Sequence, residues 1–256
     1  MPAEFVTGWV PDDPTLDELD RPAVFLAAGP RVVTHNRDTW DPPKLDQRNV
    51  PYCTDYSGVR ARQACEFRQT GKAPLPSAMF SAWVTRMRRG EQGAMVGATI
   101  RDSAEGAILT GVASDLAHPS DLPGVPLDVR ARAKPAPQAF AEAGDHQIVR
   151  SFTIPDGDVD GIHAALADGY MVHFGMLLGQ TFFDTGGNGI VPEWDGLRAN
   201  AHAMVLVDAD QVGGRWGAWC DNSWSTRWGK SGSGWMSDTR LRGCMDIRVY
   251  QSVEVI

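Results

Sequence analysis

The apolar positions of this chain recur at helical spacing in its first half and alternate like those of strands in its second half. From Cys53 onward, the side chains that share one helical face are Tyr56, Val59, Gln63 and Phe67. Gly71 follows this segment and is a suitable stop. The pattern predicts a long helix that begins at the cysteine.

Two more helices are predicted before the middle of the chain. Ser77 is a suitable N-cap for the segment SAMFSAWVTRMRRG, whose apolar stripe is Met79, Phe80, Trp83, Val84 and Met87. A third helix is expected in ATIRDSAEGAIL. From about residue 117 to 143 the chain is rich in Pro, Ala and Asp, so we expect a loop there.

The second half is predicted to be rich in strands. After one more helix, VDGIHAALADG, the segment YMVHFGMLLG alternates, with Val172, Phe174, Met176 and Leu178 on one face. HAMVLVDAD, RWGAWCDNSW and DIRVYQSVEVI are expected to be further strands. Helices followed by antiparallel strands indicate an α+β protein with two lobes and a cleft between them.

This pattern also suggests the domain organisation. We expect a helical lobe at about 45–145 and a β-rich, barrel-like lobe at about 146–256, which together form one domain at 45–256. Residues 1–44 are rich in Pro and Asp and show little periodicity. We expect them to be an N-terminal arm that packs on the body and is not cleaved from it.

Charge and composition exclude several classes of partner. The 256 residues carry a net charge of −8, and an acidic surface repels phosphate backbones, so nucleic acid is not expected as a partner. No apolar run reaches the ~20 residues that a membrane span needs. The first residues lack the basic start and the apolar segment of a secretory signal. We therefore expect a cytoplasmic protein without a membrane partner.

The candidate chemistry centres on Cys53. Taken alone, a cysteine of this kind is more often a buried structural thiol than a nucleophile. A nucleophilic thiol needs a base, and the base needs a partner that orients it. His202 opens the strand HAMVLVDAD, and Asn222 follows it 20 residues later beside Trp224. The four cysteines form no CxxC pair and show no metal-ligand spacing, and neither a metal nor an organic cofactor is implied.

The order Gln47, Cys53, His202, Asn222-Ser-Trp resembles that of the papain-like cysteine peptidases. The resemblance covers most of the chain, and GWVPDDP, LDQRNVPYCTDYSG and GATIRDSAEGAILTGV are similar to segments of the bacterial and viral branch. It implies a papain-like fold and hydrolysis of peptide or amide bonds through a cysteine thioester. The expected partner is then a peptide or protein substrate.

The resemblance also implies a role for each candidate residue. Cys53 is the expected nucleophile and His202 the expected base, which Asn222 would orient. Gln47 is expected to donate its side-chain N–H to the oxyanion. Trp224 is expected to shield the pair of His and Asn. Gly97 is expected to lie against the substrate backbone, although Gly93 also precedes an alanine.

Several positions depart from the pattern of that family. Pro51 and Tyr52 replace the usual Gly-Ser before the cysteine, Asn200-Ala201 replaces Gly-Gly before the histidine, and Arg227 stands where glycine is common. These changes are compatible with two alternatives. One is an inactive module that serves as a structural or binding part of a larger assembly such as a virion. The other is an acyl-enzyme that acts on cell-wall peptides.

One further motif is better explained by helix capping than by metal binding. PDGDVDG begins like a calcium loop, but its twelfth position is Ala167 where a bidentate Glu is required. We therefore expect helix capping there. The histidines other than His202 are expected on surfaces.

The resemblance also implies that Cys53 is a thiolate. A helix start and a nearby imidazolium group both favour this charged form.

Overall fold

The computed structural model describes residues 6–13, 30–38, 40–196 and 200–253. The helices in this part of the chain are α1 (Cys53–Thr70), α2 (Ala78–Met87), α3 (Ile100–Leu109), α4 (Leu127–Ala131), α5 (Pro137–Gly144), α6 (Val159–Ala167), α7 (Gln180–Phe183) and α8 (Asp238–Leu241). The strands are β1 (Ile148–Ile154), β2 (Val172–Leu178), β3 (Asn200–Val212), β4 (Arg215–Asp221), β5 (Ser233–Ser237) and β6 (Cys244–Val253).

The three helices predicted in the first half are confirmed, together with their end signals. α1 ends at Gly71, whose φ of 70° is in the left-handed region that glycine adopts at low cost. The Ser77 hydroxyl accepts a hydrogen bond from the backbone N–H of Phe80 at the start of α2. Thr99 caps α3 in the same way. Local capping chemistry therefore marks the end of α1 and the starts of α2 and α3.

Two short helices lie within the segment that was expected to be a loop. α4 has 5 residues and α5 has 8. Pro137 occupies the first turn of α5, where its missing N–H is not needed. Ala139 and Ala143 on α5 pack against Phe80. The loop prediction was wrong there because helices this short contain too few periodic positions to be recognised.

The described strands form one antiparallel sheet in the order β1-β6-β2-β3-β4-β5. β2, β3, β4 and β6 correspond to the predicted strands, whereas β1 and β5 were not predicted. The face of β2 that carries Val172, Phe174, Met176 and Leu178 lies in a large apolar cluster, as expected.

The opposite face of β2 is buried as well. α1 packs on this side of the sheet, against β3 and β6. His173 is fully buried there, and its imidazole lies 2.8 Å from Ser57 Oγ and 3.1 Å from the Tyr250 hydroxyl. The expected surface position for His173 was wrong, because α1 covers the face of the strand that alternation alone leaves polar. His118 and His163 are buried too, so the same expectation was wrong for them.

The described parts of the N-terminal arm lie on this body. Thr34 donates its backbone N–H to the carbonyl of Ala209, and Lys44 Nζ lies 2.8 Å from Asp221 Oδ2. We call residues 6–13 the cleft segment, because they run between the helical part and the sheet. Within the described residues, no helix is both long and apolar enough to cross a membrane.

Candidate active site

Cys53 is the first residue of α1, and its side chain is completely buried. The backbone N–H groups of Ala203 and Gly8 lie close enough to its sulfur to lower the pKa of the thiol in part. Ala203 directly follows His202 on β3. The helix therefore presents the thiol to the strand that carries the candidate base.

The hydrogen bonds around His202 fix its tautomer. Its Nε2 lies 2.8 Å from Asn222 Oδ1, which also accepts the backbone N–H of Ser223 at 2.7 Å. An oxygen that receives two donors requires Nε2 to carry the proton. His202 Nδ1 is buried and has no hydrogen-bond partner in the described part of the chain. The lone pair on Nδ1 is therefore available to accept a proton.

Trp224 covers the pair of His202 and Asn222. Its indole stacks on the imidazole with ring centroids 4.5 Å apart and an interplanar angle of 22°. Phe183 stacks on the same indole at 5.5 Å, and Trp228 meets it edge-on. Only 1% of Trp224 is exposed. This aromatic layer excludes water and strengthens the hydrogen bond beneath it.

Gln47 is held from both ends of its amide group. Its Nε2 donates to the carbonyls of Val6 and Val50, each at 2.9 Å. Its Oε1 accepts a hydrogen bond from the Ser223 hydroxyl, and the backbone N–H of Gln47 donates to the Ser223 carbonyl. The side chain is fully buried. Ser223 follows Asn222, so the candidate oxyanion donor and the base share one support.

Gly97 lies where a main chain passes very close to it. A Cβ atom at this position would come within 2.1 Å of the carbonyl oxygen of Gly8. Gly93, the alternative, instead adopts a φ of 73° and faces Arg132. The next residue after Gly97, Ala98, accepts the N–H of Val10 at 3.0 Å and donates to the Gly8 carbonyl at 2.9 Å. Of the two glycines, Gly97 is the one that lines the cleft.

A buried ion pair supports this edge of the cleft. Arg86 Nη1 lies 2.7 Å from Asp55 Oδ2 on α1, and both side chains are almost wholly buried. The same guanidinium donates through Nε and Nη2 to the carbonyl of Val96. Arg86 thereby ties the segment before Gly97 to the helix that carries the candidate nucleophile.

The cleft segment passes directly over these residues. The carbonyl of Val6 accepts Gln47 Nε2 and Trp224 Nε1 at 2.9 and 3.3 Å, and the N–H of Gly8 lies close to the sulfur of Cys53. Trp9 forms a parallel bridge with Ala98 and packs into an apolar cluster with Cys53. This arm was expected to lie on the body, but no pattern in its residues indicates that it crosses the site.

Burial governs the charge state of the candidate pair. It raises the pKa of the Cys53 thiol to about 11, although the N–H groups of Ala203 and Gly8 lower it in part. Burial also lowers the pKa of His202 to about 4, although the hydrogen bond to Asn222 raises it in part. With the cleft segment in place, both groups are therefore neutral near pH 7. The expected thiolate does not form in this state, because desolvation outweighs the helix start.

The unusual residues near the site have partners elsewhere. The Tyr52 hydroxyl donates to the carbonyl of Ala94, and the ring lies under the Arg86 guanidinium at 3.9 Å from its centroid. Arg227 is half exposed and lies 3.7 Å from Asp46. Asn200 is the first residue of β3, where it pairs with Leu178 of β2. None of these contacts involves Cys53, His202 or Asn222.

The other candidate motifs have structural roles. Asp158 accepts the N–H of Gly161 at 2.9 Å and caps α6, as expected for PDGDVDG. The described residues contain no group of three or more His, Cys, Asp or Glu side chains that could hold a metal ion. Cys65, Cys220 and Cys244 are buried free thiols.

Comparison with known proteins identifies the architecture. No protein-family model and no curated protein sequence matches this chain. Its structure is similar to that of xylellain, a cysteine protease from Xylella fastidiosa, with a TM-score of 0.80 and 22% identity over 98% of this chain and 96% of that one.

Two further solved structures show the same arrangement at lower identity. Digestive procathepsin L 3 of the Tenebrio molitor larval midgut has a TM-score of 0.73 and 14% identity, over 90% of this chain and 73% of that one. The bromelain protease from Ananas comosus, in complex with the E64 inhibitor, has a TM-score of 0.69 and 16% identity, over 89% of this chain and 100% of that one. This chain therefore has the papain-like fold, and the solved structures that share it are cysteine proteases.

Proposed function

We propose that this protein is a cysteine peptidase that hydrolyses peptide or amide bonds through a thioester on Cys53. One observation carries the proposal. The hydrogen bond from His202 Nε2–H to Asn222 leaves Nδ1 as a free base, and the next residue on the strand, Ala203, packs with Cys53. A histidine with this tautomer and a third orienting group is what thiol activation requires.

The proposed reaction assigns one task to each group. His202 Nδ1 takes the proton of Cys53, and the thiolate attacks the substrate carbonyl carbon. The oxyanion accepts hydrogen bonds from Gln47 Nε2–H and from the backbone N–H of Cys53. His202 then gives its proton to the amine as the C–N bond breaks. The amine departs, and the acyl group remains on Cys53 as a thioester. Water, deprotonated by His202, attacks the thioester and releases the acid and the free thiol.

The remaining residues act on the positions of these groups. Asn222 holds the imidazole, and Trp224 keeps water from their hydrogen bond. Gly97 and Ala98 offer main-chain groups to an extended peptide, which supports a peptide or protein as substrate. The arrangement of the cleft segment over the same groups supports a covered resting form, in which a substrate and the segment compete for one place.

The covered site also favours a second candidate. If the cleft segment never leaves, the fold would serve as a binding or structural part of a larger assembly, for instance a virion. The Gly8 N–H close to the sulfur and the neutral state of Cys53 support this alternative. The two candidates differ in whether Cys53 becomes accessible after the arm is cut or displaced.

The test combines labelling with turnover. Wild type and Cys53→Ala would be treated by limited proteolysis within the arm, incubated with an epoxide inhibitor of cysteine proteases, and weighed by intact mass. The treated proteins would also be screened against a fluorogenic peptide library. We expect one inhibitor on wild type, none on Cys53→Ala, and cleavage by wild type alone. A treated wild type that takes no inhibitor and cleaves nothing beyond Cys53→Ala would establish the non-catalytic role.

A further inference from the structure

The guanidinium of Arg240 is buried without a hydrogen-bond partner. The backbone N–H of this residue donates to the Ser237 hydroxyl, which caps α8. The residue is only 4% exposed, and none of its three side-chain nitrogen atoms has a partner within the described part of the chain. A buried cation whose donors are unused is costly, and such a group is uncommon in folded proteins.

Two carboxylates lie near enough to affect the charge of Arg240, but both are bound to other groups. Glu193 Oε1 accepts a hydrogen bond from Arg215 Nη1 at 2.9 Å. Asp195 Oδ2 accepts the backbone N–H and the hydroxyl of Thr181, each at 3.2 Å. Burial lowers the pKa of Arg240, although Glu193 and Asp195 raise it in part. Its N–H donors therefore remain available to a group from outside the described chain.

Two aromatic rings lie beside the same guanidinium. Its central carbon is 5.3 Å from the ring centroid of Trp194 and 5.7 Å from that of Phe182. Such contacts stabilise a cation but do not use its hydrogen-bond donors. Phe182 belongs to the apolar cluster on the face of β2 that carries Met176. Arg240 therefore lies on the side of the sheet that faces away from α1 and Cys53.

Arg240 lines a cavity of about 580 Å³. The apolar side chains of its walls are those of Met176, Leu177, Trp194 and Met245. Arg242 is exposed and adds a second positive charge to the lining. Asp156 adds a negative charge, and its Oδ1 accepts the backbone N–H of Asp246. The cavity thus combines an unused buried donor group with apolar walls.

We propose that this cavity binds a small organic carboxylate with an apolar body, whose two oxygens accept N–H donors of Arg240. The planar guanidinium matches a carboxylate in a bidentate pair. The apolar walls suit the body of such a ligand. A phosphate dianion would bring a second negative charge towards Asp156 and would leave the walls unused. The proposal does not depend on the peptidase function, because it uses none of the groups assigned to the proposed reaction.

The test measures binding to the full, untreated chain. The described residues that line the cavity lie between Asp156 and Met245, so the cleft segment need not be removed. The probe is 4-(trifluoromethyl)phenylacetate, and the corresponding amide is its neutral counterpart. Fluorine NMR would follow both at pH 7.5, in a buffer without carboxylate or phosphate. We expect the carboxylate to bind at least about tenfold more tightly, since hydrogen bonds to charged groups are worth at least that factor.

Substitutions of Arg240 assign this preference to its side chain. Arg240→Met keeps the apolar stem and should reduce the ratio to about one. We expect this variant to fold, because replacing an unpaired buried charge by an apolar group is not costly. Arg240→Lys keeps the charge without the planar fork and should give a ratio between those of wild type and Arg240→Met. Arg88→Met, at the end of α2, removes a charge from the helical part and should keep the ratio of wild type.

Three results would overturn the proposal. The first is equal affinity of wild type for the carboxylate and the amide, as expected if Arg240 turns to pair with Glu193 in solution. The second is a ratio that persists in Arg240→Met, or in Arg240→Gln if the methionine variant does not fold. The third is displacement of the probe by an equal concentration of inorganic phosphate, which would indicate a phosphate site. None of these results depends on peptide cleavage, so the peptidase function is tested separately.

Discussion

The carbonyl oxygen of Val6 lies 2.9 Å from Nε2 of Gln47. The donor that is proposed to stabilise a substrate oxyanion is therefore occupied by a carbonyl of the same chain. A second carbonyl, from Val50, accepts the other N–H of that amide group. In the proposed mechanism, the Val6 oxygen takes the position of a substrate oxygen, and Gln47 becomes available when the cleft segment moves.

The first prediction follows from the close passage of Gly8. A Cβ atom there would lie 2.0 Å from the carbonyl oxygen of Pro51, so Gly8→Ala should push the cleft segment off the site. We expect Cys53 in this variant to be alkylated at least about tenfold faster than in wild type, because a steric conflict of this kind costs of order 1–3 kcal/mol. Alkylation at pH 7.5, followed by peptide mass mapping, measures the change.

The control for this experiment is another glycine substitution. A Cβ atom at Gly144 meets nothing within 4 Å, so Gly144→Ala should leave the alkylation rate unchanged. Unaltered labelling of Cys53 in Gly8→Ala would show that the segment stays in place, and the covered form could then not be a readily opened one.

The second prediction concerns the stability and turnover of a Gln47 variant. A surface glutamine would tolerate alanine, but Gln47 is fully buried and its side chain bonds to Val6, Val50 and Ser223. Gln47→Ala should therefore lower the free energy of unfolding, by about 1–3 kcal/mol for the buried groups left unpaired. In enzyme freed of the cleft segment, it should also lower kcat by about 10²–10³.

Stability and turnover can be separated with a second variant. Gln47→Glu keeps the shape of the side chain but replaces its N–H donor with an acceptor, so it should lose turnover at neutral pH in the same range. Denaturant titration and peptide kinetics on both variants measure the two effects. Turnover equal to wild type in Gln47→Glu would remove Gln47 from the oxyanion site.

The sequence predicted those parts of the site that depend on local signals. α1 was predicted from its period and its terminal glycine, so Cys53 was correctly placed at a helix start. The expected pairing of His202 with Asn222 came from family order, and it agrees with the distance of 2.8 Å. These residues lie on or beside regular elements, whose patterns can be seen in the residues themselves.

The path of the cleft segment could not be predicted in this way. Trp9 Nε1 donates a hydrogen bond to Asp246 Oδ2, 237 positions away, and neither residue belongs to a periodic pattern that connects them. Gly175 looks like an ordinary strand residue until the indole is placed against it. The prediction of a thiolate at Cys53 was wrong for the same reason. Gly8 and Trp9 bury the thiol through contacts that no local pattern specifies.

The third prediction tests the orientation of His202. Asn222→Ala removes the acceptor of Nε2–H and frees the ring to turn or change tautomer. We expect kcat/KM of the opened enzyme to fall by about 10- to 100-fold, which corresponds to 1–3 kcal/mol for a buried hydrogen bond. Steady-state peptide kinetics measure this loss, and Asn188→Ala, at an exposed asparagine, is the control.

A charged replacement at the same position gives a second readout. Asn222→Asp places a carboxylate against Nε2–H, and an opposite charge raises the pKa of a histidine. We therefore expect an NMR titration to give a higher pKa for His202 in the double variant Cys53→Ala, Asn222→Asp than in Cys53→Ala alone. A pKa that does not move between these two proteins would mean that Asn222 does not hold the imidazole in solution.

The last prediction is a pH dependence of stability. Burial lowers the pKa of His173 to about 3 and that of His118 and His202 to about 4, whereas an unfolded chain binds these protons near pH 6.5. Between these values the unfolded state binds more protons, so the free energy of unfolding should rise with pH. Asp246 acts in the opposite sense up to about pH 6, and Asp12 acts in the same sense as Asp246, because burial raises the pKa of each carboxyl group. The three histidines outnumber these two carboxyl groups, so we expect a net rise.

Denaturant titrations from about pH 4.5 to 7.5 at constant ionic strength would measure this rise. His173→Gln keeps polar atoms for Ser57 and Tyr250 but cannot be protonated, so it should reduce the slope by up to about 1.4 kcal/mol per pH unit. The same change at His35, whose side chain is 70% exposed, should leave the slope as in wild type. A slope that His173→Gln does not reduce would mean that this imidazole is protonated in the folded protein, and that Ser57 and Tyr250 both accept hydrogen bonds from it.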